Sequence, residues 1–209
     1  MLTSVAHSTI LCLRSIMLKL LFHQIFSFSI KYFLSPMFPL IWKPAIIVLV
    51  HKNGLSTCTA NYRPISLTCV TSKIMERVIT GQLLSYFVEN RLINEAQHGF
   101  LKGLSTTSNL LYCINDWTLS LQNRHGVTII YIDFAKAFDT VSHEKLLYRL
   151  KCYGIGGKLL LWLRNFLKHR THCTRVGHCV SEFCDLLSGV IQGSNVGPLL
   201  FISFYKRTG

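Results

Sequence analysis

The octapeptide GVTIIYID, residues 126–133, constrains this chain more than any other stretch. It carries no charge until its last residue, and most of its positions are β-branched or aromatic. Such a run reads as a strand covered on both faces, so the sequence predicts a central place in a sheet. Alternation sets Val127, Ile129, Tyr131 and Asp133 on one face. A carboxylate at the end of a buried strand is costly unless it is paired or holds a cation, and no Lys or Arg stands at the same strand end. From the residues alone, Asp133 is either a divalent-metal ligand or a plain hydrogen-bonded aspartate. Asp139 precedes a helix and reads as its N-cap.

Helices and short strands surround that run. WKPAIIVLVHKNG gives a strand at Ala45–Val50 and a turn at Asn53-Gly54. After NYRPISL a helix is expected, with Ser72 as N-cap, Glu76 in its first turn, and Ile74, Val78, Ile79 and Leu83 at helical spacing. A second helix starts from Ser105 or Thr106. A third covers Ser142–Tyr153 and is closed by Gly154. The fourth, roughly Lys158–His169, has Leu159, Trp162, Leu163 and Phe166 on one face and Arg164, Asn165 and Lys168 opposite. RTHCTRVGHCVSEF reads as a hairpin around Gly177, followed by the Gly-rich SGVIQGSNVGPLLF. Helices on a small sheet make an α+β, or mixed α/β, class.

Lys and Arg number 22 against 9 Asp and Glu, a formal charge of +13, which favours a polyanionic partner, nucleic acid before an acidic membrane. Eight cysteines without a Cys-x-x-Cys do not form a secreted disulfide framework. They read as mostly buried thiols, with no disulfide partner, in a reducing intracellular compartment, nucleus or cytoplasm. Arg14, Lys19, Lys31 and Lys43 interrupt the apolar N-terminus, so no run reaches the ~18 uncharged residues a spanning helix needs. Ile16–Ile30 reads as a buried or amphipathic helix, and a membrane partner is not expected. His169, His172, Cys173, His178, Cys179 and Cys184 offer zinc-type ligands. Their spacing fits no common finger, and alternation in a hairpin lets few converge.

NYRPISL, AQHGFLKGLST, YIDFAKAFDTVSHEKLL and SGVIQGSNVGPLLF occur in that order and at suitable spacings. Together they closely resemble the reverse transcriptase domain of non-LTR (LINE-type) retrotransposons, and the resemblance runs from about residue 18 to Leu200. It implies a right-hand polymerase, here incomplete and without a thumb. The division is a poorly matched segment at 1–17, a fingers-like region at 18–125, a partial palm at 126–203 and a divergent tail at 204–209. It also implies template-directed, two-metal nucleotidyl transfer with Mg²⁺ (or Mn²⁺), an RNA template, a DNA primer and deoxynucleoside triphosphates.

By the same resemblance Asp133 is the catalytic metal ligand of the DFxKAFD motif, and the Phe134 carbonyl adds a second metal ligand. Phe138 stands at the aromatic gate under the incoming sugar, where a ring would exclude a ribose 2′-hydroxyl. In the Gly-rich loop, Gln192 and Gly193 face the template and nucleotide, with Gly189 and Gly197 allowing close backbone approach. Arg63 and Lys52 are the cations expected on the triphosphate and template backbone.

Three features depart from the family. Ile191 replaces a usual proline, Leu101 and Leu104 stand where GFRxGRST has arginines, with Lys102 a partial substitute, and no ADD-type segment follows the loop. One carboxylate does not neutralise two Mg²⁺ ions, so the expectation is a partial enzyme, inactive as it stands. The alternatives are a non-catalytic RNA- or DNA-binding remnant and an inert retroelement relic.

Overall fold

A computed structural model describes residues 37–205. Among these residues one sheet and five α-helices form an α+β fold, as the sequence implies. Strand β1 (Ala45–His51) is central to the N-terminal hairpin. It pairs antiparallel with β2 (Tyr62–Leu67), with Ile46 opposite Leu67 and His51 opposite Tyr62. Its other edge pairs in parallel with β3 (Arg170–Val176), with Ala45 opposite His172. Strands β4 (Cys179–Val180) and β5 (Cys184–Leu186) run antiparallel to β3. The reversal between β3 and β4 is the expected hairpin, with Gly177 at a positive φ of 58°.

The helices are α1 (Val70–Glu89), α2 (Thr106–Gln122), α3 (His143–Cys152), α4 (Gly157–Leu167) and α5 (Gly197–Tyr205). Local signals account for several ends. Ser105 caps α2 through a capping box with Ser108. Helix α3 ends in a Schellman arrangement: Gly154 N–H donates to Lys151 and Ile155 N–H to Leu150, with Gly154 left-handed and Ile155 buried. The apolar stripe of α4 faces inward as expected, with Trp162, Leu163 and Phe166 buried. The core lies between α1, α3, α4 and α5, where Leu83, Leu146, Leu150, Leu163, Leu200 and Val196 are fully enclosed.

Several expectations are overturned. Residues 126–133 form no strand, and Ile130, Tyr131 and Ile132 are about four-fifths exposed (80%, 83% and 76%). β-branched residues favour an extended chain but do not provide a neighbour. No described strand lies beside this run to complete its ladder. Helix α2 is similarly bare, with no buried residue.

The cap of α3 is Ser142, whose hydroxyl accepts from Lys145 N–H; Asp139 lies too far upstream to reach that turn. Helix α1 begins at Val70 after Cys69, so Ser72 is inside the helix and is no cap. Its buried face is Ser72, Met75, Glu76, Ile79, Leu83 and Phe87, whereas Ile74 and Val78 point to solvent. Of the described cysteines, Cys173 is buried, while Cys58, Cys152, Cys179 and Cys184 are exposed in loops, at a helix end or on the short edge strands. The helix expected at Ile16–Ile30 lies outside the described residues, as does most of the 204–209 tail. Among the described residues no helix is long and apolar enough to cross a membrane.

Candidate functional site

The Gly-rich loop between β5 and α5 is where the separate sequence motifs meet. Its first half lies against the segment that follows Asp133. Val190 N–H donates to the Phe138 carbonyl at 2.8 Å, and Gly189 N–H donates to the Val141 carbonyl at 2.8 Å. The Ser188 hydroxyl donates to the Asp139 carbonyl at 3.0 Å. On the far side of the same strand-like contact, His143 Nε2 lies 2.7 Å from the Gly189 carbonyl, in a buried position. A Cβ at Gly189 would lie 2.9 Å from both Asp139 Cα and the Phe138 carbonyl oxygen, which only glycine avoids.

The second half of the loop docks on β2. Ser66 N–H donates to the Gln192 carbonyl at 2.8 Å. Gly193 follows with φ +112°, and a Cβ there would sit 2.6 Å from the Ser66 carbonyl oxygen. These glycines therefore serve first to let protein backbone meet protein backbone.

This docking sets the other expected site residues in relation to one another. Arg63 lies three residues before Ser66 on β2, about 10 Å along the strand, and is exposed opposite Val50. Lys52, also exposed, closes the hairpin at the same end, its N–H donating to the Asn61 carbonyl. The Phe138 ring is half-buried and stacks on Phe201, with centroids 4.5 Å apart and planes 8° from parallel. Phe100 packs against it edge-on at 5.9 Å. Phe100 belongs to the HGFLKGLST stretch, so that motif joins the cluster too. Lys102 is exposed, and so is Leu104 in one of the family's arginine positions.

Asp133 adjoins Phe134, whose ring packs against Tyr205 at 5.2 Å, as Tyr205 does against Phe201 at 4.7 Å. Asp133 itself is exposed, so the burial argument that singled it out does not apply. Among the described residues no group of three or more His, Cys, Asp or Glu side chains could hold a metal ion. Of the metal ligands that the resemblance implies, Asp133 and Phe134 are both exposed. Because the side chain is exposed, Asp133→Ala should change unfolding free energy by less than about 0.5 kcal/mol in urea titrations.

The loop is also held by a group that the motif reading missed. Glu76, fully buried on α1, accepts from the Asn195 N–H at 2.7 Å and from the Ser72 hydroxyl at 2.6 Å. The signal for it was present: Ser72 and Glu76, four residues apart, share the face of Met75, Ile79 and Leu83. Burial pushes the Glu76 carboxyl above its ordinary range, against the Ser72 hydroxyl, the Asn195 N–H, the Arg170 charge and the Val196 N–H, which hold it down. A folded-state acid with a raised pKa binds its proton more tightly than the unfolded chain does. Its contribution to stability therefore falls as pH rises from 4.5 through the folded value. Glu76→Gln, which does not ionise, should flatten that decline when urea midpoints are compared at about pH 5 and pH 7.

Comparison with known proteins gives the same family as the motifs. Residues 50–208 match the family described as reverse transcriptase (RNA-dependent DNA polymerase). The chain is 34% identical over 168 residues to the RNA-directed DNA polymerase from mobile element jockey of Drosophila melanogaster, covering 80% of this chain and 18% of that protein. It is 32% identical over 174 residues to a probable RNA-directed DNA polymerase from transposon BS of the same fly, with the same coverage. Similarity extends to a Pol polyprotein of the type-1 retrotransposable element R2 of Popillia japonica, at 27% identity over 78% of this chain and 22% of that protein. The chain thus spans about a fifth of the length of these relatives. With three motifs meeting at one loop, a fourth reaching Phe138 through Phe100, and the family match spanning most of the described fold, the chain belongs to the reverse transcriptases of non-LTR retrotransposons.

Proposed function

We propose that this chain is the fingers and first half of the palm of an RNA-directed DNA polymerase, and that the docked Gly-rich loop is its nucleotide site. The observation that carries this reading is the two-sided docking of residues 188–196, on Phe138–Val141 at one end and on Ser66 at the other. It sets Gln192, Gly193 and Phe138 on one surface, with Arg63 and Lys52 farther along the β1–β2 hairpin. In this reading Gln192 supplies an amide to the templating strand, and Phe138 stands under the incoming sugar. Its stack on Phe201 fixes the ring plane, which a sugar gate requires. Arg63 and Lys52 contact triphosphate and template phosphates. The partners are an RNA template, a DNA primer and deoxynucleoside triphosphates.

Mg²⁺ (or Mn²⁺) would be held in part by Asp133 and the Phe134 carbonyl, and would supply charge neutralisation at the reacting phosphate. Among the described residues no group of three or more His, Cys, Asp or Glu side chains could complete the metal's shell. We therefore expect binding without polymerisation from this chain by itself. The lack of such a group among the described residues is also what favours the second reading, a non-catalytic RNA- or DNA-binding protein.

The test uses poly(rA)·oligo(dT), dTTP and Mg²⁺. The expected result is hybrid binding that weakens steeply with salt, with Arg63→Ala lowering the log–log salt slope by about 1, and no primer extension. Extension that Asp133→Ala abolishes would overturn the inactivity. Failure to bind the hybrid at low salt would overturn the nucleic-acid reading altogether.

A further inference from the structure

The start of α5 is anchored from a distance. Ser194 caps it locally, its hydroxyl accepting from Gly197 N–H at 2.9 Å. The N–H of Asn195, two residues before the helix, is turned instead toward the carboxyl group of Glu76 on α1, donating to it at 2.7 Å. The Asn195 side chain adds a second tie to the same helix, its Nδ2 donating to the Lys73 carbonyl at 2.7 Å. Glu76 is fully buried, as is its partner Ser72, in a face otherwise made of Met75, Ile79, Leu83 and Phe87. Packing alone would favour leucine at such a position, since a buried carboxyl group must be fully hydrogen-bonded to be tolerated. The hydrogen bonds that satisfy it include one from the loop that carries Gln192.

The second anchor is close by. Ser66 N–H holds the Gln192 carbonyl. Strand β2 ends at Leu67 and α1 begins at Val70, so one continuous segment grips the loop at two points three residues apart. We propose that Glu76 is a positioning residue: it clamps the N-terminus of α5 and thereby fixes where Gln192 and Gly193 stand relative to the nucleotide. A carboxyl group suits this place because the N-terminal N–H groups of a helix attract negative charge and need acceptors. The clamp does not depend on ionisation. In the protonated state one oxygen still accepts from Asn195 while the hydroxyl donates to Ser72. The inference rests on the reading of the 188–196 loop as the nucleotide site.

The experiment is hydrogen–deuterium exchange on the full chain, comparing wild type, Glu76→Leu and Glu76→Gln. Glu76→Leu is expected to speed exchange of amides in residues 192–199 by about tenfold or more, while β1 and α4 stay within about twofold of wild type. Glu76→Gln should restore protection, its amide donating to Ser72 and its oxygen accepting from Asn195. Unchanged exchange at 192–199 in Glu76→Leu, or an equal rise in β1 and α4, would overturn the clamp. If Glu76→Leu does not fold, Asn195→Pro removes the donating N–H two residues before α5, together with the side-chain tie to Lys73; unchanged exchange at Gln192–Ser194 then overturns it.

Positioning is separated from mere structure by dTTP binding in the presence of poly(rA)·oligo(dT) and Mg²⁺. Apparent dTTP affinity should fall about tenfold in Glu76→Leu and return in Glu76→Gln, with hybrid affinity within about twofold throughout. Faster exchange with unchanged dTTP affinity would reduce Glu76 to a structural role. In wild type, absence of any dTTP-dependent protection at 188–196 would reject the nucleotide site itself, whatever the clamp does.

Discussion

Arg170→Ala is expected to destabilise the fold by about 3–5 kcal/mol, enough to unfold much of a domain of ordinary stability. The side chain is 2% exposed and joins three parts of the molecule. Its guanidinium donates to the Phe166 carbonyl in the last turn of α4 at 3.1 Å and to the Trp42 carbonyl at 3.3 Å. Its charge also lies 4.9 Å from the Phe166 ring centre and 5.3 Å from that of Phe38. A cation there is favoured by the carbonyl end of the helix and by the ring faces. Burial nevertheless lowers its pKa to about 10, while the Glu76 charge acts to raise it.

Alanine would leave two carbonyls and a cavity among Phe38, Trp162 and Phe166, and would remove the positive charge that offsets Glu76. Arg170→Met keeps most of the volume and should lose clearly less. Urea unfolding midpoints of the two variants decide this. A loss under about 1 kcal/mol for alanine would show that the site relaxes around the missing group.

Gly193→Val is the second large effect. A branched side chain meets both a positive φ of 112° and a carbonyl oxygen 2.6 Å from where its Cβ must lie. Backbone strain of this kind costs of order 1–3 kcal/mol, and overpacking adds about as much. The loop is expected to leave β2 instead, breaking the Ser66–Gln192 hydrogen bond. Stability should then drop by about 2–4 kcal/mol, and apparent dTTP affinity by at least about tenfold. Gly126→Ala is the control: nothing lies within 4 Å of its Cβ, so it should change stability by less than about 0.5 kcal/mol. Equal behaviour of the two variants would mean that the loop is not seated on β2.

Features settled within a few residues of chain were legible in the sequence. Ser105 begins α2, Gly154 closes α3, Gly177 turns the hairpin, and the 159/162/163/166 stripe of α4 faces the core, each for a local reason. Where a distant partner decides the outcome, local signals misled. Ile129–Ile132 has strong strand chemistry, but a strand exists only when another strand runs beside it, and nothing in the octapeptide says whether one does. Ile74 and Val78 share helical spacing with Ile79 and Leu83, yet the inward face of α1 is set by α5 and its loop, which draw Ser72 and Glu76 inside.

The glycines of the loop stand out in the sequence, but their contact with Ser66 and with Phe138–Asp139 is visible only in the fold. Asp133 illustrates the limit most clearly. Family resemblance singles it out as a ligand, while among the described residues it is exposed and belongs to no group of three or more metal-ligating side chains.

The central claim is that residues from four separated motifs form one nucleotide-binding surface. Photo-cross-linking tests it most directly, with a photoreactive deoxynucleoside triphosphate bound to the protein and a matched RNA–DNA hybrid in Mg²⁺, and the labelled peptides mapped by mass spectrometry. The account predicts cross-links in the peptides containing Phe138 and Gln192, competed by unlabelled dNTP and lost in Gly193→Val. Labelling confined to the β3–β4 hairpin or to α2, or labelling that unlabelled dNTP does not compete, would contradict it.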